Sequence, residues 1–337
     1  MPRVYRARPP RAAARTGTLV AMPAAHVPVL LEEVIRLLDP REGETAVDCT
    51  AGLGGHAEAI AVRLGPTGTL VIFDLDAGNL EASRSRIAAL PRAPRIIACR
   101  ANFAEAPRRL VEAGLAANVV LADLGFASNQ VDDPNRGLSF SRDGPLDMRL
   151  DPSGPVTAAN LVATLSEREL AEIIREYGEE RHAARVAQKL VHERQVQPIQ
   201  TTARLAGIVR SVVGRTPKGS THIHSSIDPA TRTFQALRIA VNDEQANLRS
   251  LLDGIERGAR AAPSGSGAWI APGARVGIIA FHSLEDRPVK QSFARMAERG
   301  LAVVRTKKPV TAGEDETAMN PRSRSAKLRV VEVAGSG

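Results

Sequence analysis

The 337-residue sequence carries 45 lysines and arginines against 37 aspartates and glutamates, giving a formal net charge of +8, and 43% of its residues are hydrophobic. This composition supplies a core, excludes the disordered, fibrous and collagen-like classes, and favours a polyanionic partner such as nucleic acid. One Trp, two Tyr and seven Phe are too few to favour passive coating of single-stranded nucleic acid, and two Cys cannot form a disulfide framework. No apolar run reaches the roughly 20 residues of a membrane span, so we expect a cytoplasmic protein.

The N-terminal segment is basic and lacks packing residues. The first acidic residue is Glu32, and the arginines before it lie among Pro and Ala. We therefore expect residues 1–25 to be a disordered basic tail. The alternatives are a tail that contacts RNA, a transit peptide, and an extension upstream of a true start at Met22.

From Glu44 onward, short β-rich runs alternate with amphipathic stretches of helix length. The predicted strands are Thr45 to Cys49, Gly68 to Phe73, Arg95 to Cys99, Val119 to Ala122, Arg275 to Phe281 and Lys327 to Val333. Such alternation is typical of βαβ units and a parallel sheet. We therefore predict a doubly wound α/β fold.

The alternation stops after a Pro- and Gly-rich break at Asp151–Pro155. Ser166 and Glu169 form a capping-box pattern, Gly178 is the expected residue just beyond that helix, and further helices are predicted over residues 179–194 and from Thr202. Because strands resume afterwards, we predict an inserted helical domain, 151–228, for substrate or RNA recognition, within a core of residues 26–150 and 229–334.

A glycine-rich loop follows the first predicted strand. Gly52, Gly54 and Gly55 lie where a helix begins, and Asp74 comes about 20 residues later at the end of the next strand, where a carboxylate can hold a ribose diol. The pattern fits NAD or S-adenosylmethionine. Asp48 before the loop favours the sulfonium donor, because a carboxylate there repels a pyrophosphate.

Further candidates follow the third and fourth strands. Phe103 is suited to packing on an adenine, with an ordinary core position as the alternative, and Asp123 ends the fourth strand. Because ligands bind beyond the carboxyl ends of parallel strands, we expect Asp48, Asp74, Phe103 and Asp123 to meet in one crevice.

The residue types also bear on the methyl acceptor. Neither Cys49 nor Cys99 has a Pro-Cys context, so attack by cysteine on a pyrimidine carbon is disfavoured. Methylation of an exocyclic amine needs only alignment and a hydrogen-bond acceptor, which Asp123 or a backbone carbonyl supplies. The Asp-Pro-Pro-aromatic motif of many DNA amino-methyltransferases is missing.

Seven signatures, in order, resemble those of the bacterial small-subunit ribosomal RNA (cytosine-N4)-methyltransferase family. They are His26–Val34, Gly54–His56, Asp143–Arg149, Gly178–Arg181, Ala230–Ile239, Phe281–Arg287 and Asn320–Ser325. The resemblance implies a class I S-adenosylmethionine-dependent, Rossmann-like sheet with an all-helical insertion. It also implies N4-methylation of a cytidine in the decoding region of 16S rRNA, with the small ribosomal subunit as partner.

By position, the resemblance places cofactor contacts on Gly54, Gly55, His56, Asp74, Phe103, Asp123 and Gln130. The candidate catalytic residue is Asp123. No metal is required, since a solvated loop explains His222 and His224 better than zinc does. The expected RNA or substrate contacts are Arg149, Arg232, Arg238, His282, Ser283, Arg322 and Arg324.

The segment His282–Asp286 contains the residue types of a hydrolase triad but lacks the nucleophile elbow, so we interpret it as a crevice wall or as a helix start capped by Ser283. Ala127, Asn129 and Asp228 depart from the family pattern. These departures lead to the hypothesis of an altered acceptor pocket. The second candidate function is a catalytically weak ribosome-assembly factor, and the third is an NAD-dependent oxidoreductase.

Overall fold

The computed structural model describes residues 28–214, 228–265 and 267–335. The six predicted strands are all present, and the described residues add a seventh that is too short to show an alternating pattern. The strands are β1 Thr45–Asp48, β2 Thr69–Asp74, β3 Arg95–Arg100, β4 Ala117–Asp123, β5 Ile270–Ala280, β6 Ala302–Val304 and β7 Lys327–Val333.

The strands form one sheet in the order β3-β2-β1-β4-β5-β7-β6. The first five in that order pair in parallel, and β7 is antiparallel to both β5 and β6. The chain leaves β1 in one direction towards β2 and β3, and returns to β4 on the other side of β1. Strand order therefore reverses between β1 and β4, where open α/β sheets form ligand crevices.

Helices connect and cover the strands. They are α1 Leu31–Leu38, α2 Gly55–Leu64, α3 Ala77–Ala88, α4 Ala106–Glu112, α5 Ser128–Asp132, α6 Ala158–Thr164, α7 Glu167–Gly178, α8 Ala183–Val196, α9 Thr202–Val213, α10 Thr231–Val241, α11 Glu244–Ala261, α12 Ser283–Glu298 and α13 Glu314–Met319. None of these described helices combines the length and apolar character that a bilayer crossing requires.

Two buried clusters cover the two faces of the sheet. One joins the sheet to α4, α11 and α12 through Leu110, Leu251 and Val289, and the other joins it to α1, α2 and α3. Each helix turns an apolar stripe inward, which confirms the doubly wound arrangement and leaves the carboxyl edge of the strands as the place for a site.

A third buried cluster belongs to the helical segment. It joins α6, α8 and α9 but also includes Phe234 and Leu237 of α10, and Leu146 and Met148 from the chain before α6. Packing therefore extends past both predicted limits of the 151–228 insertion, because α10 packs against α7 and α6. The division into domains stays a prediction.

The start of α7 confirms one capping prediction, and its end corrects another. Ser166 accepts a hydrogen bond from Glu169 N–H, and the Glu169 carboxylate accepts one from Ser166 N–H. Gly178 is the last helical residue, and Glu179 takes the left-handed conformation at φ +48°. Glycine is required at 178 because a Cβ there lies 2.6 Å from the carbonyl oxygen of Arg232.

Some sequence predictions lie outside the described residues. They concern the basic tail, the start at Met22, and the loop that carries His222 and His224. Asp228, the departure beside that loop, is described. It accepts hydrogen bonds from the Arg210 guanidinium on both oxygens, so its carboxylate fastens the end of α9 to the start of α10.

Candidate active site

A cavity of about 600 Å³ opens at the carboxyl edge of the sheet, around the point where strand order reverses. Nine of the predicted site residues line it: Gly52, Gly55, His56, Asp74, Phe103, Asp123, Gln130, Arg238 and Arg322. Seven others lie outside its lining: Asp48, Gly54, Arg149, Arg232, His282, Ser283 and Arg324.

The glycine loop is shaped by close approaches on both sides. Gly54 has φ +85°, and a Cβ on it lies 2.9 Å from Ser83 of α3. A Cβ on Gly55 lies 2.3 Å from the Pro28 ring. These two positions therefore exclude any larger residue, and they bring the backbone at the start of α2 to the cavity wall.

Asp74 ties the end of β2 to the loop. Its Oδ2 accepts a hydrogen bond from Gly52 N–H at 2.9 Å, and its Oδ1 accepts one from Asp76 N–H at 2.8 Å. Burial raises the pKa of Asp74 to about 6, and these backbone donors oppose that rise. The carboxyl is thus held in one orientation at the cavity wall, with lone pairs left for a ligand.

Asp48 lies beneath the loop, not against the cavity. It is 1% exposed, its Oδ1 accepts from Thr50 N–H, and its Oδ2 has no hydrogen-bond partner among the described residues. Burial, followed by the charge of Asp74, raises its pKa to about 7. Asp48 is buried and does not line the cavity, so the structure does not support its predicted direct contact with a cationic ligand.

Asp123 ends β4 at the cavity wall. Its N–H donates to Thr50 Oγ1 at 2.7 Å, and its Oδ2 lies 3.7 Å from His56 Nδ1. Its Oδ1 is buried and has no hydrogen-bond partner in the described part of the chain. Burial, then the charges of Asp48 and Glu285, holds the pKa of Asp123 well above its usual range.

His56 is fixed beside Asp123. The ring is 6% exposed, and Nε2 lies 2.9 Å from the carbonyl oxygen of Val29. Because a carbonyl only accepts, Nε2 carries a hydrogen and Nδ1 faces the carboxyl of Asp123. His56 therefore lies under Asp123 and limits where that carboxyl can turn.

Gln130 holds the loop after β4. Its side-chain oxygen accepts from Ala127 N–H at 2.9 Å, which is half of a capping box, while the Ala127 side chain supplies no hydroxyl for the other half. Asn129 donates through Nδ2 to Asn79 Oδ1 at 2.8 Å. Both departures from the family pattern therefore lie in one turn at the cavity wall.

Three aromatic residues, Phe103, Phe126 and Phe281, line the cavity. Phe103 begins a short turn after β3, where Asn102 Oδ1 accepts from Ala104 N–H, and it also packs against the buried core. Phe126, three residues after Asp123, was not predicted. Sequence reasoning passed over it because the Asp-Pro-Pro-aromatic motif lacks its prolines here, although the spacing from Asp to aromatic is kept.

Arg238 is buried and already paired. Its guanidinium donates to both oxygens of Glu244 at 2.8 and 2.9 Å, both side chains are 12% exposed, and it lies 4.9 Å from the centre of the Phe126 ring. Arg238 still lines the cavity, but its guanidinium is paired with Glu244, so its contact with phosphate stays a prediction.

Arg149 is likewise bound within its own turn. It donates to both oxygens of Asp147 and to the carbonyl of Gly154. Because its donors are satisfied by this turn and it does not line the cavity, the structure does not support the predicted substrate contact. Its role in the Asp143–Arg149 signature is to fold the chain before α6.

The start of α12 differs from the prediction. His282 is the residue before the helix, and Ser283 is its first residue, so Ser283 is not the cap. Ser283 Oγ donates to Glu179 Oε2 at 2.7 Å, and the His282 ring lies 3.1 Å from Glu285 Oε1. Neither residue faces the cavity, so this segment supplies a wall only through Glu285, which accepts from Phe281 N–H.

Glu244, His282 and Glu285 offer ligand atoms within 4.8 Å of one another, a grouping that suits a metal ion. Arg238 already supplies a positive charge to Glu244. The Arg238 guanidinium therefore offsets part of the negative charge of this group.

Three arginines remain at the surface. Arg322 lines the cavity and pairs with Asp132 at 2.8 Å, Arg324 is exposed nearby, and Arg232 donates to the Glu179 carbonyl at 3.3 Å. Of the three, only Arg322 lines the cavity, and their contact with RNA stays a prediction.

The sheet order with its antiparallel β7, and a glycine loop and acidic strand ends around one cavity, define a class I, Rossmann-like methyltransferase. The sequence pattern described as the MraW methylase family matches residues 23–334. The chain belongs to that family. Membership removes the nicotinamide alternative and identifies S-adenosylmethionine as the cofactor.

Curated relatives agree over nearly their full length. The chain is 45% identical over 312 residues to the "Ribosomal RNA small subunit methyltransferase H" of Acidobacterium capsulatum, covering 91% of this chain and 98% of the relative. It is 44% identical over 310 residues to the protein of the same name from Koribacter versatilis, covering 90% and 93%. A solved S-adenosylmethionine-dependent methyltransferase from Aquifex aeolicus is 8% identical, covering 90% and 89%, with a TM-score of 0.35.

Proposed function

We propose that this protein transfers a methyl group from S-adenosylmethionine to the N4 amine of a cytidine in the decoding region of 16S rRNA. The observation that carries the proposal is the Asp123 carboxyl, which ends β4 at the cavity wall with its side chain 24% exposed. The relatives' names support a small-subunit ribosomal RNA as acceptor. The proposed partner is the small ribosomal subunit, in the cytoplasm.

The residues around the cavity fit the donor. The glycine loop brings backbone close to a ligand, Asp74 offers carboxylate lone pairs for a ribose diol, and Phe103 offers an aromatic surface for an adenine. A positive ligand beside Asp48 and Asp123 favours their ionised forms, which suits a cationic donor without a phosphate. The donor supplies a methyl group on a positively charged sulfur.

Asp123 is the proposed proton acceptor. The partly exposed Asp123 carboxyl lines the cavity, where it can accept a hydrogen bond from an exocyclic amine, which aligns the nitrogen, and then take the proton that the amine loses. In the free protein the raised pKa of Asp123 keeps the carboxyl protonated more than usual. A positive charge alongside favours the ionised form, so the acceptor becomes ready when the donor is in place.

The experiment is methyl transfer to small subunits that lack the modification. Isotope-labelled donor and mass spectrometry of nucleosides should identify N4-methylcytidine with the wild-type protein. Asp123→Asn cannot take the proton and should lower turnover about 100-fold or more, while it still binds S-adenosylhomocysteine. Wild-type protein that binds donor and subunits without forming a methylated cytidine contradicts the proposal.

A second candidate rests on the turn after β4. Ala127 lacks the hydroxyl of the family pattern, and Asn129 is bound to Asn79, so the acceptor side of the cavity is altered. The candidate function is a weakly catalytic assembly factor that binds subunit RNA. It predicts subunit binding with little turnover, and restored turnover in Ala127→Ser supports it.

A further inference from the structure

Phe126 is a large apolar side chain left open inside the cavity. It is 37% exposed, whereas most phenylalanines and leucines of the fold are buried, and it lines the same cavity as Asp123. Gly125 has φ +106°, a conformation that places Phe126 at the wall directly after β4. An exposed aromatic ring beside the proposed reaction centre is a surface for a flat ligand.

A positively charged side chain, that of Arg238, packs on the Phe126 ring. The Arg238 guanidinium lies over it at 4.9 Å from the ring centre, within the range of a cation–π contact. Arg238 is itself fixed by two hydrogen bonds to Glu244, and both partners are nearly buried. The guanidinium therefore remains in place when a ligand enters, and Phe126 presents a rigid surface.

The sheet order separates Phe103 from Phe126, and Phe281, which follows β5, lies on the Phe126 side. Phe103 follows β3 and lies on the side of Asp74, whereas Phe126 follows β4 and lies on the side of β5 and α10. The β3 side is the proposed donor side. The β4 side, with Asp123 between the two, is left for the acceptor.

We propose that Phe126 is the stacking surface for the nucleobase that receives the methyl group. The inference rests on the proposed function, since it requires a base as acceptor. A base taken out of its stack loses neighbours above and below, and an aromatic side chain replaces one of them. Stacking on Phe126 holds the ring plane, and the hydrogen bond to Asp123 fixes which edge, and so which amine, faces the donor.

The first test separates stacking from packing. Phe126→Leu keeps an apolar side chain but has no π-face, and Phe126→Tyr keeps the face. We expect the leucine variant to raise KM for subunit RNA about 10- to 100-fold, with tyrosine close to wild type. Affinity for S-adenosylhomocysteine should be unchanged in both, which shows that the cavity is folded.

A leucine variant with KM and kcat within about twofold of wild type overturns the inference. A wild-type protein without turnover on any RNA overturns the proposed function instead, so the two failures are distinguishable. Loss of S-adenosylhomocysteine binding in the leucine variant also counts against stacking, because it shows that Phe126 supports the donor side.

The second test reports the contact directly. Phe126→Trp puts an indole at the site, and base stacking should quench its fluorescence when undermethylated subunit RNA binds. Val303→Trp is the matched control, because Val303 is 59% exposed on β6, at the far edge of the sheet from β3 and two strands beyond β5. Quenching at 126 but not at 303 supports the inference, and equal responses overturn it.

Discussion

Gly52 N–H donates to Asp74 Oδ2 at 2.9 Å, so the carboxyl proposed to hold the donor's ribose also holds the loop that forms the donor's wall. A single side chain thereby links ligand contact to loop shape. Changes at Asp74 should affect donor binding through both routes.

Asp74→Ala should weaken S-adenosylhomocysteine binding about 10- to 100-fold, because it removes charge-assisted hydrogen bonds and releases Gly52. Isothermal calorimetry measures the change. Asp253→Asn, on the exposed face of α11, should bind as wild type does. An Asp74→Ala protein with wild-type affinity removes Asp74 from the donor site.

Gly55→Ala should destabilise the protein by roughly 1–3 kcal/mol and weaken donor binding, because its Cβ lies 2.3 Å from Pro28 and the start of α2 must shift. Gly207→Ala, in α9 with open space around it, should instead stabilise by about 0.5–1 kcal/mol. Urea unfolding measures both variants. Equal effects at the two sites contradict the steric reading of the loop.

Asp48 should make stability depend on pH. Its folded pKa is about 7, above the ordinary unfolded value of about 3.9, so the native state binds the extra proton between these values. The stability that Asp48 contributes is therefore fully present below its unfolded pKa of about 3.9, and it is lost as the pH rises towards 7.

Without donor, the wild type should lose about 2–3 kcal/mol more unfolding free energy between pH 5 and pH 8 than Asp48→Asn does. Chemical denaturation at the two pH values measures this difference. Asp253→Asn should follow the wild-type curve. If the unfolding free energies of wild type and Asp48→Asn change equally with pH, the raised pKa of the buried Asp48 carboxyl is contradicted.

Arg324→Ala should weaken RNA binding and reduce the slope of log K against log salt concentration by about 1, because one phosphate contact is lost. Binding titrations over a range of salt concentrations measure the slope. Arg295→Ala, exposed in the last turn of α12, is the matched control. An unchanged slope in Arg324→Ala leaves this arginine outside the RNA interface.

Arg238→Ala should destabilise the protein by about 3–5 kcal/mol, since it leaves Glu244 buried without its partner. The double variant Arg238→Leu/Glu244→Leu should recover much of that stability, because it removes both charges. Thermal and urea unfolding compare the two. A single variant as stable as the double one shows that the pair is not energetically coupled.

The sequence predicts the architecture well where hydrophobic periodicity and helix-capping residues determine local structure. The six longer strands and the capping box of Ser166 and Glu169 follow from nearest-neighbour chemistry, and the carboxyl-edge rule brings Asp74, Phe103 and Asp123 to one cavity. The three-residue strand β6 is missed because it is too short for an alternating pattern.

The predictions that differ from the structure concern the direction in which side chains point. Arg238 and Asp48 are charged, and a sequence alone places charges at surfaces or on ligands; only the folded positions of α10 and β1 show that both are buried. Gly178 differs from the expected helix stop because its glycine is required by contact with Arg232, which is distant in sequence. Phe126 is found only from its exposure inside the cavity.

The insertion of helices between β4 and β5 has a consequence for biosynthesis. These neighbouring strands pair Ala117 with Ile270, roughly 150 residues apart, so the outer edge of β4 stays unpaired until that length has been translated. At about 5–20 residues per second, the delay is roughly 7–30 s. The nascent half-sheet therefore exposes an aggregation-prone edge, and shielding of that edge during synthesis should matter more for this chain than for an uninterrupted βαβ protein.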